Sequence, residues 1–556
     1  MSKPRVLVIG LDGATLDLIR PWAAAGHLPH LARLLEEGSS GKLMSTIPPV
    51  SPAAWSSFIT GKNPGKHGVF DFTVRDFRGY GMRVALRPSE PTLWGLLSAQ
   101  GRHVCVVNVP QTYPPEKVSG YMVTGLGTPS ARIFTYPAEL TQALRKENYR
   151  FTTEALLQRD GTAAFIKDTY QVAEKVTDTA LCLMSRLDWD FSTVVLRLTD
   201  QIPHYFWHWM DELHPAHHPS DTLHSKAVLH CYQKADDLVG KLITAVADRD
   251  TTVLVVSDHG FGSLHKDVYL NEWLRQQGLL KLRSYLTLRA LFMWFLQRLG
   301  LTRTQVGHTL AHLGLHWLRG ALRDGLGVWG EIFPPDNRPH LAELVDWDKT
   351  RAYIVGYIGQ IYVNLVGRDP GGVVAPGREY EQFRTELIGR LLKMVDPEDG
   401  QRVVDQVLRK EEIYSGRFLP EAPDLLILMR GLSYITRQSY ELAVRHQVFA
   451  APPMQETGGH RLEGILLAWG AHIAKNAQID NAQIEDVAPT VLHLLGCEVP
   501  MDMDGRVLTA LLHPEFASAH PVKYSEIQRQ QDMIENLTPE EEQSLLEHLR
   551  DLGYIE

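Results

Sequence analysis

Residues Thr252–Gly260 read TVLVVSDHG, an apolar run the length of one strand followed at once by a carboxylate, an imidazole and a glycine. An unbroken Val/Leu run of this length reads as a strand buried on both faces, the habit of a parallel sheet covered by helices. The same texture recurs at Arg5–Ile9, His103–Asn108, Thr193–Leu198 and Gly464–Ala468, with helical patterns between. The expected fold class is therefore α/β, a doubly wound, mostly parallel sheet flanked by helices. In such sheets ligands bind beyond the carboxyl ends of the strands. Attention falls on Gly10-Leu11-Asp12-Gly13, Thr199-Asp200 and Ser257-Asp258-His259-Gly260, each of which follows a predicted strand.

The rest of the chain is read outward from that sheet. A length of 556 residues exceeds one ordinary domain and suggests an inserted or appended unit. Residues 1–270 are expected to form the first part of the core. Residues 271–347 change to long helical patterns rich in Leu, Arg and Trp and read as an inserted helical cap. Residues 348–512 read as a mixed α/β segment that completes the core, and 513–556 as a helical tail, with a capping signal at Thr538. The apolar stretch Tyr285–Leu301 is interrupted by Arg289 and Arg298 and is too short to span a bilayer. It reads as an amphipathic helix through which the cap can touch a membrane surface. A net charge of −9 lacks the basic excess of a protein that tracks nucleic acid, so polynucleotide is not the expected partner. Cys105, Cys182, Cys231 and Cys497 are widely spaced and read as reduced core residues. The apolar run before Asp12 is too short for a signal peptide, and a cytoplasmic protein is expected.

Four short motifs carry chemistry. Asp12 stands where a dinucleotide-binding chain has its glycine turn, and a carboxylate there repels pyrophosphate and suits a cation. The SDHG turn sets Asp258 and His259 side by side, LTDQIPH sets His204 four residues after Asp200, and ETGGHRLEG holds His460 in a glycine turn. Singly, each has an ordinary reading as a helix cap, a helix-face histidine or an exposed turn. Jointly they supply oxygen and imidazole ligands for two metal ions, which can polarise a phosphoryl oxygen and activate a nucleophile. The hydroxyl-rich stretch TIPPVSPAAWSSFITGKNPGKHGVFDF, Thr46–Phe72, would provide that nucleophile. Its GKNPGKHG segment fails the P-loop pattern in spacing and has His67 where Ser or Thr would hold magnesium. Lys62, Lys66 and His67 are expected as turn and surface residues, HPAHHPSDTLH as an exposed loop, and the tryptophans of WHWM as helix packing.

The order of these motifs resembles the alkaline phosphatase superfamily, in particular its nucleotide pyrophosphatase/phosphodiesterase branch. The segment Ile484–Leu508, IEDVAPTVLHLLGCEVPMDMDGRVL, is similar to the end of the core in that superfamily and in sulfatases. The resemblance implies an enzyme with two divalent ions, zinc or manganese among the candidates, acting on a small-molecule phosphate ester. It places Ser51 as a nucleophile that becomes a covalent phosphoserine, in competition with Ser45, Thr46, Ser56, Ser57 and Thr60. It groups Asp12, Asp258 and His259 with Ser51 at one ion, and Asp200, His204 and His460 at the other. The branch has an asparagine three residues after its nucleophile, where this chain has Ala54. The sulfatase signature is not met either, with Ala53 and Trp55 at the positions of its Pro and Arg. Phosphodiester or pyrophosphate cleavage is the leading expectation; monoester hydrolysis, phosphomutase activity and non-catalytic metal-dependent binding are the alternatives.

Overall fold

The structure is a computed structural model that describes residues 3–76, 79–129, 131–218, 224–283, 344–356, 358–437, 447–452, 456–470, 472–526 and 537–551. Its centre is a nine-stranded sheet. From one edge to the other the strands are Gln478–Gln483, Ser39–Met44, Glu463–Trp469, Thr251–Val256, Arg5–Leu11, Phe191–Leu196, Val104–Val109, Gly120–Thr124 and Thr135–Tyr136. The five from Thr251–Val256 to Gly120–Thr124 run parallel. Because successive strand residues face opposite sides, each strand feeds two cores. Leu7, Ile9, Val194 and Val255 pack on one side with residues of the helices Thr162–Met184, Leu198–Met210 and Ala227–Val246. Val6, Val8, Val195 and Val256 pack on the other with Trp55, Phe58, Trp94 and the helix Val487–Leu494. This is the doubly wound α/β class.

Gly464–Ala468 departs from the expected direction. Its strand is antiparallel to both Thr251–Val256 and Ser39–Met44. Two-sided burial makes an apolar run whichever way the strand points, so composition alone does not set its direction. The edge strand Gln478–Gln483, beside Ser39–Met44, buries only Ile479 and Ala482 and offers no such run.

Between Gly260–Ser263 and Gly458–Arg461 the chain builds a second lobe. A four-stranded antiparallel sheet, in the order Ala352–Ile354, Gln360–Val363, Leu425–Met429, Val404–Arg409, packs with the helix Arg378–Leu391 around its own core. Leu270, Trp273 and Trp347 join that core. Of the stretch read as a helical cap, residues 284–343 lie outside the described residues, and with them the Tyr285–Leu301 helix. The two ends of the lobe's chain meet again in an antiparallel pair, with Phe261 opposite His460. The helix Pro539–Asp551 is capped by Thr538 and lays Leu545 and Leu549 against Phe72, Val84 and Leu126. Among the described residues no helix is long and apolar enough to cross a membrane.

Candidate metal centre

Three parallel strands aim their ends at a single point, and His460, expected in a glycine turn, comes to it from the strand Gly458–Arg461, whose partner across the ladder is Gly260–Ser263. Asp12 follows Arg5–Leu11 directly, its N–H still bonded to Leu196 O at 3.0 Å. Asp258 and His259 follow Thr251–Val256. After Phe191–Leu196 the chain turns into the helix Leu198–Met210, so Asp200 sits in its first turn rather than on the strand, with His204 one turn on. The i,i+4 spacing brings His204 Nε2 to 3.2 Å from Asp200 Oδ1. His460 arrives from the far end of the second lobe, with Nε2 3.3 Å from the same oxygen and 3.2 Å from His204 Nε2. Its ring stacks on His259, the centroids 3.6 Å apart.

The histidines share one construction. Nδ1 of His204 bonds Gly458 O, Nδ1 of His259 bonds Gly260 O, and Nδ1 of His460 bonds Pro49 O, at 3.0, 3.0 and 2.8 Å. A carbonyl only accepts, so each ring carries a hydrogen on Nδ1 and turns Nε2, the atom that can ligate a metal, to the centre. The carboxylates are anchored too. Asp258 Oδ1 accepts from Gly13 N at 3.2 Å, while its fully buried Oδ2 accepts no hydrogen bond among the described residues and lies 3.3 Å from His259 Nε2.

Ser51 opens the helix Ser51–Thr60, which Gly61 ends in the left-handed conformation, φ 65°. Its Oγ stands 3.2 Å from His259 Nε2 and 3.5 Å from Asp12 Oδ1. The competing hydroxyls are engaged or placed elsewhere: Thr46 on Pro48 O, Ser57 on His67, Thr60 on Ser56 O. Ser45 and Ser56 bury their Oγ without a hydrogen-bond partner among the described residues. Ala54 is fully buried, and Trp55 is in the sheet core.

Packing three carboxylates together out of water is electrostatically adverse. Burial, then the charge of Asp200, raises the Asp12 carboxyl; burial, then Asp12 and Asp200, drives Asp258 well above the usual range. Burial opposes ionisation of Asp200 as well, but His204 and His460 hold it well below. Burial and the neighbouring His460 push His259 far down, so its ring is neutral. Such a set demands cations. Two donor groups have ligand atoms within 4.8 Å of one another, Asp200 with His204 and His460, and Asp12 with Asp200 and His259. The residues fit divalent ions, and Asp258 Oδ2 stands ready beside them.

The family model for type I phosphodiesterase / nucleotide pyrophosphatase matches residues 6–452. The chain belongs to that family. It is thereby a metal-dependent hydrolase of phosphoric esters in the alkaline phosphatase superfamily. Among solved structures, phosphonoacetate hydrolase from Sinorhizobium meliloti 1021 in complex with phosphonoformate aligns at TM-score 0.50 and 14% identity, covering 89% of this chain and 100% of that one. Murine ectonucleotide pyrophosphatase/phosphodiesterase 5, in an inactive form with AMP, aligns at TM-score 0.49 and 12% identity, covering 92% and 100%. A search of curated protein sequences finds no match.

Several expectations change. Lys62 is not a surface residue: it is 3% exposed, between Glu90 at 2.7 Å and Asp502 at 2.6 Å. His67, 1% exposed, bonds Ser57, and burial lowers its pKa to about 3. Asp502 lies 440 residues from Lys62, and the burial of Lys62 and His67 is set by distant packing rather than by the Gly- and Pro-rich local pattern. Cys182 is exposed, unlike the other three free cysteines. Of the expected exposed loop, His214 is buried, its ring bonded to Leu264 O. One residue of the centre was missed altogether. Arg197, at the end of the strand Phe191–Leu196, is 4% exposed and reaches both Asp12 and Asp200. The available signal was a lone arginine between an apolar strand and an aspartate three residues on.

Proposed function

We propose that the enzyme cleaves a phosphodiester or pyrophosphate bond of a small molecule, with Ser51 as the nucleophile. The observation that supports this is the placement of Ser51 Oγ against His259 and Asp12 at the start of a helix. Asp12, Asp258 and His259 with Ser51 would hold one divalent ion, and Asp200, His204 and His460 the other. Bound there, the ions supply Lewis-acid polarisation and lower the pKa of a hydroxyl. Zinc and manganese both suit carboxylate and imidazole ligands.

The chain's own part begins with the Ser51 hydroxyl, 3.2 Å from His259 Nε2 and 3.5 Å from Asp12 Oδ1. Ser51 Oγ attacks phosphorus as its proton passes to Asp12, the bond from phosphorus to the leaving oxygen breaks, that oxygen leaves with a proton from solvent, and phosphorus stays on Ser51 as a covalent phosphoserine ester that keeps the substrate's other substituent. Water then cleaves that ester and restores Ser51. With Ala54 in place of an asparagine, phosphoryl charge falls to the N-terminus of the helix Ser51–Thr60; Pro52 has no N–H and Ala54 N bonds Val50 O, so the N–H groups of Ser51 and Ala53 and the helix dipole would favour the anion. A cytoplasmic setting belongs to this proposal.

The test is hydrolysis of bis-p-nitrophenyl phosphate beside p-nitrophenyl phosphate by EDTA-stripped protein refilled with zinc or manganese. Metal-dependent turnover favouring the diester is expected. Preference for the monoester overturns the diester reading in favour of a phosphatase or mutase. Ser51→Ala is expected to reduce turnover by at least about 10³-fold while metal content stays at the wild-type level. Full activity in that variant overturns the phosphoserine route.

A further inference from the structure

Arg197 touches both proposed ion sites. Its Nε donates to Asp12 Oδ2 at 3.2 Å, and its Nη2 stands 3.7 Å from Asp200 Oδ2. The opposite oxygens face the centre: Asp12 Oδ1 toward Ser51 and His259, Asp200 Oδ1 toward His204 and His460. The guanidinium is itself braced. Nη1 donates to Thr152 Oγ1 at 3.2 Å, and that oxygen also accepts from Gln201 Nε2 at 2.8 Å. A single planar fork thus fixes the outer oxygen of one carboxylate from each ligand group.

We propose that Arg197 is a positioning residue shared by the two ion sites. It holds Asp12 and Asp200 as one-oxygen ligands and ties the geometry of each site to that of the other. This rests on the reading that Asp12 and Asp200 are metal ligands. The physical basis is threefold. An arginine stays charged when buried, whereas a lysine at the same place shifts its pKa readily. Its fork can serve two carboxylates at once, which an ammonium on a flexible stem does less well. Partners behind metal ligands commonly set affinity by about 10–100-fold.

The test is calorimetric titration of zinc into EDTA-stripped wild type, Arg197→Lys and Arg197→Met, with thermal melts of each metal-free protein. Wild type is expected to take up two ions. Arg197→Met is expected to bind both about 10–100-fold more weakly. Arg197→Lys, which keeps the charge and loses the fork, is expected to separate the sites, with at least about tenfold weaker binding at one of them. Wild-type affinity at both sites in Arg197→Met overturns the proposal. If Arg197→Met does not fold, Arg197→Lys decides: two unchanged affinities overturn the proposal, and a weakened site supports it. Failure of wild type to bind zinc or manganese overturns the ligand reading instead, so the two failures are told apart.

Discussion

At the scale of single residues, the centre is made of side chains whose neighbours turn one ligand atom toward it. His460 illustrates it, with Nδ1 committed to Pro49 O and Nε2 turned to Asp200. His460→Ala is expected to lower bound zinc from two ions per chain to one and to cut turnover by at least about 100-fold. Elemental analysis of the dialysed protein checks the first expectation; an unchanged metal count would exclude His460 as a ligand. That Asp12, Asp258 and His259 stand at strand ends was legible, because an apolar run stops where they begin. Arg197 was not. A lone arginine beside a strand has the same local signature whether it faces water or two buried carboxylates, and only the packed neighbours distinguish the cases.

At the scale of elements, the parallel strands were legible and the antiparallel ones less so. The sequence pattern carries burial, and burial is set by the helices above and below. Direction and register are set by partners distant in sequence. Gly10 shows how tightly one strand is fitted. A Cβ there would lie 2.5 Å from Trp55 Cη2 and 2.9 Å from Val195 Cγ2. Trp55 belongs to the helix that Ser51 opens, so crowding at Gly10 is felt at the nucleophile. Gly10→Ala is expected to destabilise the fold by about 1–3 kcal/mol. It should also lower activity at temperatures where the variant stays folded. A denaturant melt and an initial-rate assay on the same sample check both; a variant as stable as wild type would mean that Trp55 moves aside without strain.

At the scale of the whole molecule, the second lobe has its own electrostatic keystone. Asp424 is fully buried among Arg368, Tyr380 and Lys410, and its carboxylate also accepts from Val363 N. Burial alone would raise its pKa, but Arg368 and Lys410 hold it at about 2, against 3.8 for an ordinary aspartate. The folded value is the lower one, so this contribution is complete above about pH 4 and is lost as pH falls toward 2. Asp424→Ala is expected to remove the acid-dependent step in that window and to cost about 3–5 kcal/mol at neutral pH, since it takes the carboxylate from the buried Lys410 ammonium. Melts from pH 2 to pH 7 for both proteins test this; parallel profiles would rule it out. This network draws on residues from 363 to 424, and no local pattern announces it.

Metal removal should act on the whole molecule too. An ion that binds only the folded state stabilises it by mass action, about 4 kcal/mol at a thousandfold excess over Kd. EDTA is therefore expected to lower the melting temperature, and zinc to restore it. The consequence reaches further than a shifted midpoint. His259 lies where the chain departs for the second lobe and His460 where it returns, and their rings lie face to face. The ion held with His259 would pin the departing end and the ion held with His460 the returning end, so the pair would act as a clasp across the neck of that excursion, closing a very long loop without a covalent bond. Cation supply would then govern both the rate of catalysis and how readily a protease can pry the lobe from the sheet.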